Sequence, residues 1–415
     1  MYRKFISFLF IILASFCIKA TADTTRFPIA STATGEFCAG GAFDGTNFLV
    51  SILGGIGGQN QVTAQIVSQD GTLVGGRLFL GGTTENILIP VAFDGTSYLV
   101  TWQGMSSPGD IYGKFIEKNG NLGEMFFICS NVDEIGHIGF GGGTYLLVYT
   151  RSSKVYGRTI SPGGVVGDEI SVSSGLGKDR GGFGNLPFDG TNFLVVWTED
   201  TNDYEVRGRF VSAAGIPGTE FSVNASLSPS DDPCATAFDG TNFLVVWPDE
   251  VGGHGSQQWA FFAQLISKAG EKVGSVISVT NTSSAAELIA PAAVFDGTRY
   301  LLTWSKLQNA DTEWKIYGRL LNTQGFPLDS EFIIENSLGN QLGGAVGYAN
   351  GQYLIVINDN ISVSIQDEEF QFTPGDVFGI FKTFLPRIDG DLNKDNEVNI
   401  SDVILTLRKS IGLDP

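Results

Sequence analysis

The chain has 415 residues, of which 42% are hydrophobic and 17% charged, with 55 glycines and 31 phenylalanines. This length admits several ordinary domains or one large repeat assembly, and so apolar a composition excludes an intrinsically disordered chain. The formal net charge of −19 argues against a nucleic-acid partner, whose phosphates need lysine and arginine, and fits an exported protein that takes up divalent cations.

Residues 1–22 read as an export signal. Arg3 and Lys4 precede an apolar run from Phe5 to Cys17, and Ala20-Thr21-Ala22 places small residues at a cleavage site. The run is too short to span a bilayer comfortably, and Phe16 before Cys17 does not suit a lipoprotein. The mature chain is expected to begin at Asp23. Cleavage removes Arg3, Lys4 and Lys19 and no acid, so the charge goes from −19 to −22. No later apolar run approaches membrane length, so the mature protein is expected to be secreted or at the cell surface, free of the membrane and monomeric.

Arg26-Phe27-Pro28-Ile29-Ala30 then reads as a lone strand. Seven copies of one unit follow, opening at Phe43-Asp-Gly-Thr-Asn-Phe48, Phe93-Asp-Gly-Thr-Ser-Tyr98, Phe140-Gly-Gly-Gly-Thr-Tyr145, Phe188-Asp-Gly-Thr-Asn-Phe193, Phe238-Asp-Gly-Thr-Asn-Phe243, Phe295-Asp-Gly-Thr-Arg-Tyr300 and Tyr348-Ala-Asn-Gly-Gln-Tyr353. The first aromatics lie 50, 47, 48, 50, 57 and 53 residues apart. An apolar run, a glycine turn and a second apolar run predict a β-hairpin. In four copies the second run reaches a tryptophan: Trp102, Trp197, Trp247 and Trp304. A third strand centred on a small residue comes next, at Ala64, Gly113, Gly157, Gly208, Ala263, Gly318 and Gly379. A glycine turn then leads to a fourth strand, as in Glu220–Asn224.

Four short strands in about 50 residues is the size of one propeller blade. Residues 26–385 are therefore expected to form an all-β, seven-bladed β-propeller; an open β-solenoid or packed sandwiches are the other readings. The last copy ends at its third strand, Val377–Lys382, so the lone strand at Arg26–Ala30 is expected to complete that blade and close the ring. Closure removes two sheet edges.

Most recurring residues have structural explanations. Asp44, Asp94, Asp189, Asp239 and Asp296 stand where a turn wants aspartate before glycine, and the tryptophans are expected to fill space between blades. The Arg or Lys after the small third-strand residue is expected to snorkel or to pair locally. Cys38, Cys129 and Cys234 match no zinc spacing and read as buried apolar residues. His137 and His254 are isolated.

Residues 386–390 read as a linker to a calcium loop. Asp391, Asn393, Asp395, Asn399 and Asp402 place oxygens at loop positions 1, 3, 5, 9 and 12, and Glu397 offers its backbone carbonyl at position 7. Calcium needs six to eight oxygens, and this alternation turns them to one centre. Asn396 suits the sharp turn at position 6. Val403, Ile404, Leu407 and Ile411 follow at helical spacing. The stretch resembles a single type I dockerin repeat, whose position 12 also takes Asp. The resemblance covers residues 390–413, and 391–413 would form the loop and helix. Dockerins normally carry two such repeats, and one is legible here. The resemblance implies Ca2+ as the bound ion and a cohesin-like partner, reached in part through Ile400 and Ser401.

Two functions, and beside them a purely structural role in an extracellular matrix or surface layer, are consistent with these features. The first is an extracellular binding module for a protein or glycan, using the variable loops Gly104–Asp110, Glu199–Glu205, Pro248–Gln258 and Asn358–Asp376 on a rigid ring. The second is a polysaccharide-acting glycoside hydrolase, or an accessory of such a system, since dockerins usually accompany such enzymes. Hydrolysis of an O-glycosyl bond needs two placed carboxylates. The catalytic residues are unknown, because no pair stands out in the sequence.

Overall fold

The computed structural model describes residues 26–32, 35–56, 59–83, 88–104, 109–175, 177–178, 186–199, 205–225, 234–251, 259–280, 286–308, 313–366, 369–373 and 375–384. Seven four-stranded antiparallel sheets occupy Arg26–Lys382. In blade one the strands run in order outward: Glu36–Phe43, Asn47–Ile56, Gln59–Ser68 and Leu73–Gly82. Blades two to six repeat this meander, with first strands at Val91–Phe93, Glu134–Gly141, Gly177–Lys178, Ala235–Phe238 and Ala286–Phe295. First strands lie against each other around an axis in five of the seven neighbouring blade pairs. Small residues, among them Gly41, Ala42, Ala92, Gly139, Ala237, Ala293 and Ala345, let them converge there. A Cβ at Gly41 would come within 3.0 Å of Ala345.

Blade seven departs in the expected way. Its order is Gln341–Ala349, Gln352–Asp359, Asp376–Lys382 and then Arg26–Ala30, so its outermost strand comes from the other end of the propeller sequence. Arg26 pairs with Ile380 and Phe27 with Gly379. The small third-strand residues explain why this strand fits. A Cβ at Gly113 would meet Phe126 at 2.8 Å, and one at Gly208 would meet Phe221 at 2.7 Å. Glycine leaves room for an aromatic ring from the fourth strand. In blade seven that ring is Phe27, which lies on Gly379 and stacks on Phe381 with centroids 5.4 Å apart. Arg26 lies 3.5 Å from the centroid of the Phe378 ring, pairs with the buried carboxylate of Asp359 and donates to Ser337 Oγ at 2.9 Å.

Apolar side chains group between blades. Trp102, Trp197, Trp247 and Trp304 are each 1% exposed. Trp102 abuts Gly81 of the preceding blade, and Trp304 meets Phe261 of its own predecessor. The third-strand arginines also tie blades together. Arg209 Nη1 donates to Val172 O of the blade before at 2.8 Å, and Arg319 Nη1 to Val279 O likewise. Cys38, Cys129 and Cys234 are buried. Burial raises the Cys38 thiol to about 11.

Two expected loops are partly strand. Asn358–Asp376 carries a hairpin, Ser362–Gln366 with Glu369–Thr373. Its alternation of Val363, Ile365, Phe370 and Phe372 with polar residues is the reason a hairpin forms there. The second strand of blade five runs past Pro248 to Glu250.

Candidate functional site

Each hairpin turn is built by its aspartate. Asp44 Oδ1 accepts the N–H of Thr46 and of Asn47, both at 2.7 Å, while Gly45 takes φ +92°. Asp94, Asp189, Asp239 and Asp296 repeat this arrangement. The turn closes the first strand on the second and sets the two aromatics of the repeat side by side. In all seven copies the ring centroids are between 4.6 and 5.1 Å apart.

The second aromatic is buried in each copy, and the first is half-buried where the hairpin turn begins. Phe43, Phe93, Phe140, Phe188, Phe238, Phe295 and Tyr348 therefore form an aromatic collar around the axis. Phe43, Phe188, Phe238, Phe295 and Tyr348 line an axial cavity of about 430 Å³. The rest of its lining is small or apolar, with Thr236 as a further polar side chain.

The collar is rimmed by acids and touched by lysines. Lys118 Nζ stands 4.9 Å from the Phe93 centroid and donates to Asp44 O of the preceding blade at 2.9 Å. Lys268 Nζ stands 5.0 Å from the Phe238 centroid and donates to Asp189 O at 3.3 Å. A second cavity, of about 830 Å³, lies on the same face between blades five and six. Asp239, Thr241, Asn242, Thr323, Gln324 and Phe326 are part of its lining.

Tyrosines link three of the turns to the next blade. Tyr353 donates to Asp296 Oδ2 at 2.5 Å, and Tyr98 and Tyr145 donate to Asn47 O and Ser97 O at 3.1 Å beside Asp44 and Asp94. Burial, reinforced by the neighbouring carboxylate, raises the pKa of all three phenols. Burial alone would raise Asp296 too. Hydrogen bonds from Tyr353, Thr298 and Arg299 outweigh it and lower that carboxyl to about 2.

On the opposite face second and third strands are joined, and in blade four acidic and basic side chains pair there. Glu199 and Glu205 flank one of the expected loops, and both reach Arg207, at 3.4 and 2.8 Å. Glu220 lies 3.5 Å from Arg207 and from Arg209. His137 is buried in the first strand of blade three. Asp391, Asn393, Asp395, Glu397, Asn399 and Asp402, like His254 and residues 1–22, lie outside the described residues. No helix among the described residues is long and apolar enough to cross a membrane.

The fold is thus a seven-bladed β-propeller whose N-terminal strand completes the last blade. Among solved structures it is similar to the β-propeller domain of the Trilobed protease from Pyrococcus furiosus. That match has 9% identity and a TM-score of 0.51, and covers 82% of this chain and 98% of that one. That propeller has an open velcro topology; here hydrogen bonding between Arg26–Ala30 and Asp376–Lys382 joins the ends. A prolyl endopeptidase matches at 14% identity and TM-score 0.48, covering 80% of this chain and 46% of its own. The Dos1 propeller matches at 8% identity and 0.46, covering 82% and 76%. No family model matches the chain. No curated protein matches it.

Proposed function

We propose that this chain is a secreted, calcium-binding β-propeller that acts as an extracellular binding module for a protein or glycan. The observation that carries the binding reading is the aromatic collar. A rigid ring presents six aromatic side chains, the five of the collar and Phe48, to one axial cavity, and a preformed cavity lined by aromatic and apolar side chains with a few placed polar groups is the usual form of a ligand site. Among the described residues the lining contains no carboxylate, whereas glycoside hydrolysis would need two. Export rests on Arg3, Lys4 and the run Phe5–Cys17. Calcium binding rests on the phased oxygens from Asp391 to Asp402, and the dockerin-like tail would tether the module to a cohesin-like partner.

Two experiments test this. Calcium titrated into the full chain is expected to give a binding isotherm by calorimetry, lost in Asp391→Ala; no heat with the parent chain would remove calcium from the proposal. A glycan array and a pull-down from secreted proteins, each with and without calcium, are expected to yield a specific ligand. Turnover of a polysaccharide by the purified chain would instead favour the hydrolase.

A further inference from the structure

We infer that the collar-side face at blade six is a docking site for a lysine side chain from a basic segment of a partner protein. This inference rests on the binding-module reading and gives it a ligand chemistry. The chain displays the interaction twice. In blades two and five, the residue two before the turn glycine that leads to the fourth strand is lysine: Lys118 before Gly120 and Lys268 before Gly270. Each ammonium stands over the collar ring of its own blade and bonds the turn carbonyl of the blade before. An aromatic face and a carbonyl therefore form a repeated ammonium seat, held together by the quadrupole of the ring and the dipole of the carbonyl.

Blade six has the seat but a shorter residue. Two before Gly325 stands Thr323, whose hydroxyl is engaged by Gln324 at 3.1 Å. By the equivalence of the repeats, the seat there consists of the Phe295 ring and the turn at Asp239. Both flank open space: Phe295 lines the axial cavity, and Asp239 and Thr323 line the cavity of about 830 Å³. Asp239 uses Oδ1 for its own turn and adds a carboxylate charge beside the seat. Phe326, 62% exposed, and Val276 offer an apolar wall suited to the methylene stem of a lysine. The net charge of −19 draws a basic segment towards the molecule.

The test is calorimetry of the full chain with a capped tetra-lysine peptide. Thr323→Lys supplies an internal ammonium to the seat and is expected to weaken the peptide about fivefold or more. Leu338→Lys, at a site 88% exposed, adds the same charge elsewhere and is expected to leave affinity within about twofold. Phe295→Leu keeps an apolar side chain, removes the ring, and is expected to weaken binding similarly, with its urea midpoint measured alongside. The inference is overturned if tetra-lysine does not bind, or if Thr323→Lys and Leu338→Lys act alike, which would reduce the effect to bulk charge. A ligand on the glycan array together with no binding of tetra-lysine would leave the binding module standing and sink only this seat.

Discussion

Five turn aspartates carry the role that their Asp-Gly pattern predicts, and four of them, Asp44, Asp94, Asp239 and Asp296, carry a second one. Their Oδ1 atoms cap the hairpin turns, as the Asp-Gly pattern predicts. The additional role is to meet the next blade. Tyrosine occupies the second aromatic position in Tyr98, Tyr145, Tyr300 and Tyr353, and each faces an aspartate of the preceding turn. Phe48 and Phe193 follow turns with Ala349 and Gly141, where there is no carboxylate to meet. Phe243, after Asp189, breaks the correspondence. The internal repeats therefore held a signal for this contact, readable only once one copy is compared with its neighbour. Tyr353→Phe should destabilise the fold by about 1.5–3 kcal/mol at neutral pH, the range for a hydrogen bond to a charged group. Asp296 has a folded pKa of about 2, below its ordinary 3.8. It therefore contributes stability above about pH 4 that is lost as pH falls towards 2. Urea unfolding of Tyr353→Phe and the parent should show a gap that narrows over that window; a gap unchanged at pH 2 would contradict the assignment.

Among the elements, the closing strand is the most informative. Its place was legible because the last copy lacks a fourth strand and Arg26–Ala30 precedes the first copy as Phe221–Ala225 precedes the fifth. The structure adds the contacts that make it bind. Phe27 fills the position of Phe221, on a third-strand glycine of its own blade and beside a turn glycine of the next, Gly71. Equivalent rings should cost similar amounts when truncated. Phe27→Ala and Phe221→Ala are each expected to lose about 2–4 kcal/mol, somewhat under the usual cost for a fully buried ring, measured by denaturant midpoint. A cost near zero for Phe27→Ala would mean the strand adds little to closure.

Across the whole molecule, the core is a ring of blade interfaces. Apolar clusters join blade one to blade two, two to three, three to four, four to five, five to six and seven to one. Such an assembly depends on its neighbour contacts all the way round. A chain beginning at Ser31 should therefore unfold at lower urea. Its amide exchange should rise first in Asp376–Lys382, whose outer hydrogen-bond partners are then missing. A peptide of residues 26–32 added in trans should restore both. Unchanged exchange in that strand would show that closure is not hydrogen-bond dependent.

The sequence by itself determined the repeat, the number of blades, the turn chemistry and the identity of the closing strand, because each is set by local pattern: alternation, glycine at positive φ and a missing partner. It also supplies the phased oxygens from Asp391 to Asp402 that the calcium proposal uses. Only the tertiary structure decided what the repeated aromatics do. Phe43, Phe188, Phe238, Phe295 and Tyr348 are some 50 residues or more apart in the chain, and only ring closure brings them to one cavity. The lysine seats are hidden for the same reason. Lys118 belongs to one blade and the carbonyl it bonds to another, so no window of sequence contains the pair. Contacts across a blade interface join residues whose separation is fixed by the geometry of the ring, and periodicity along the chain does not report them.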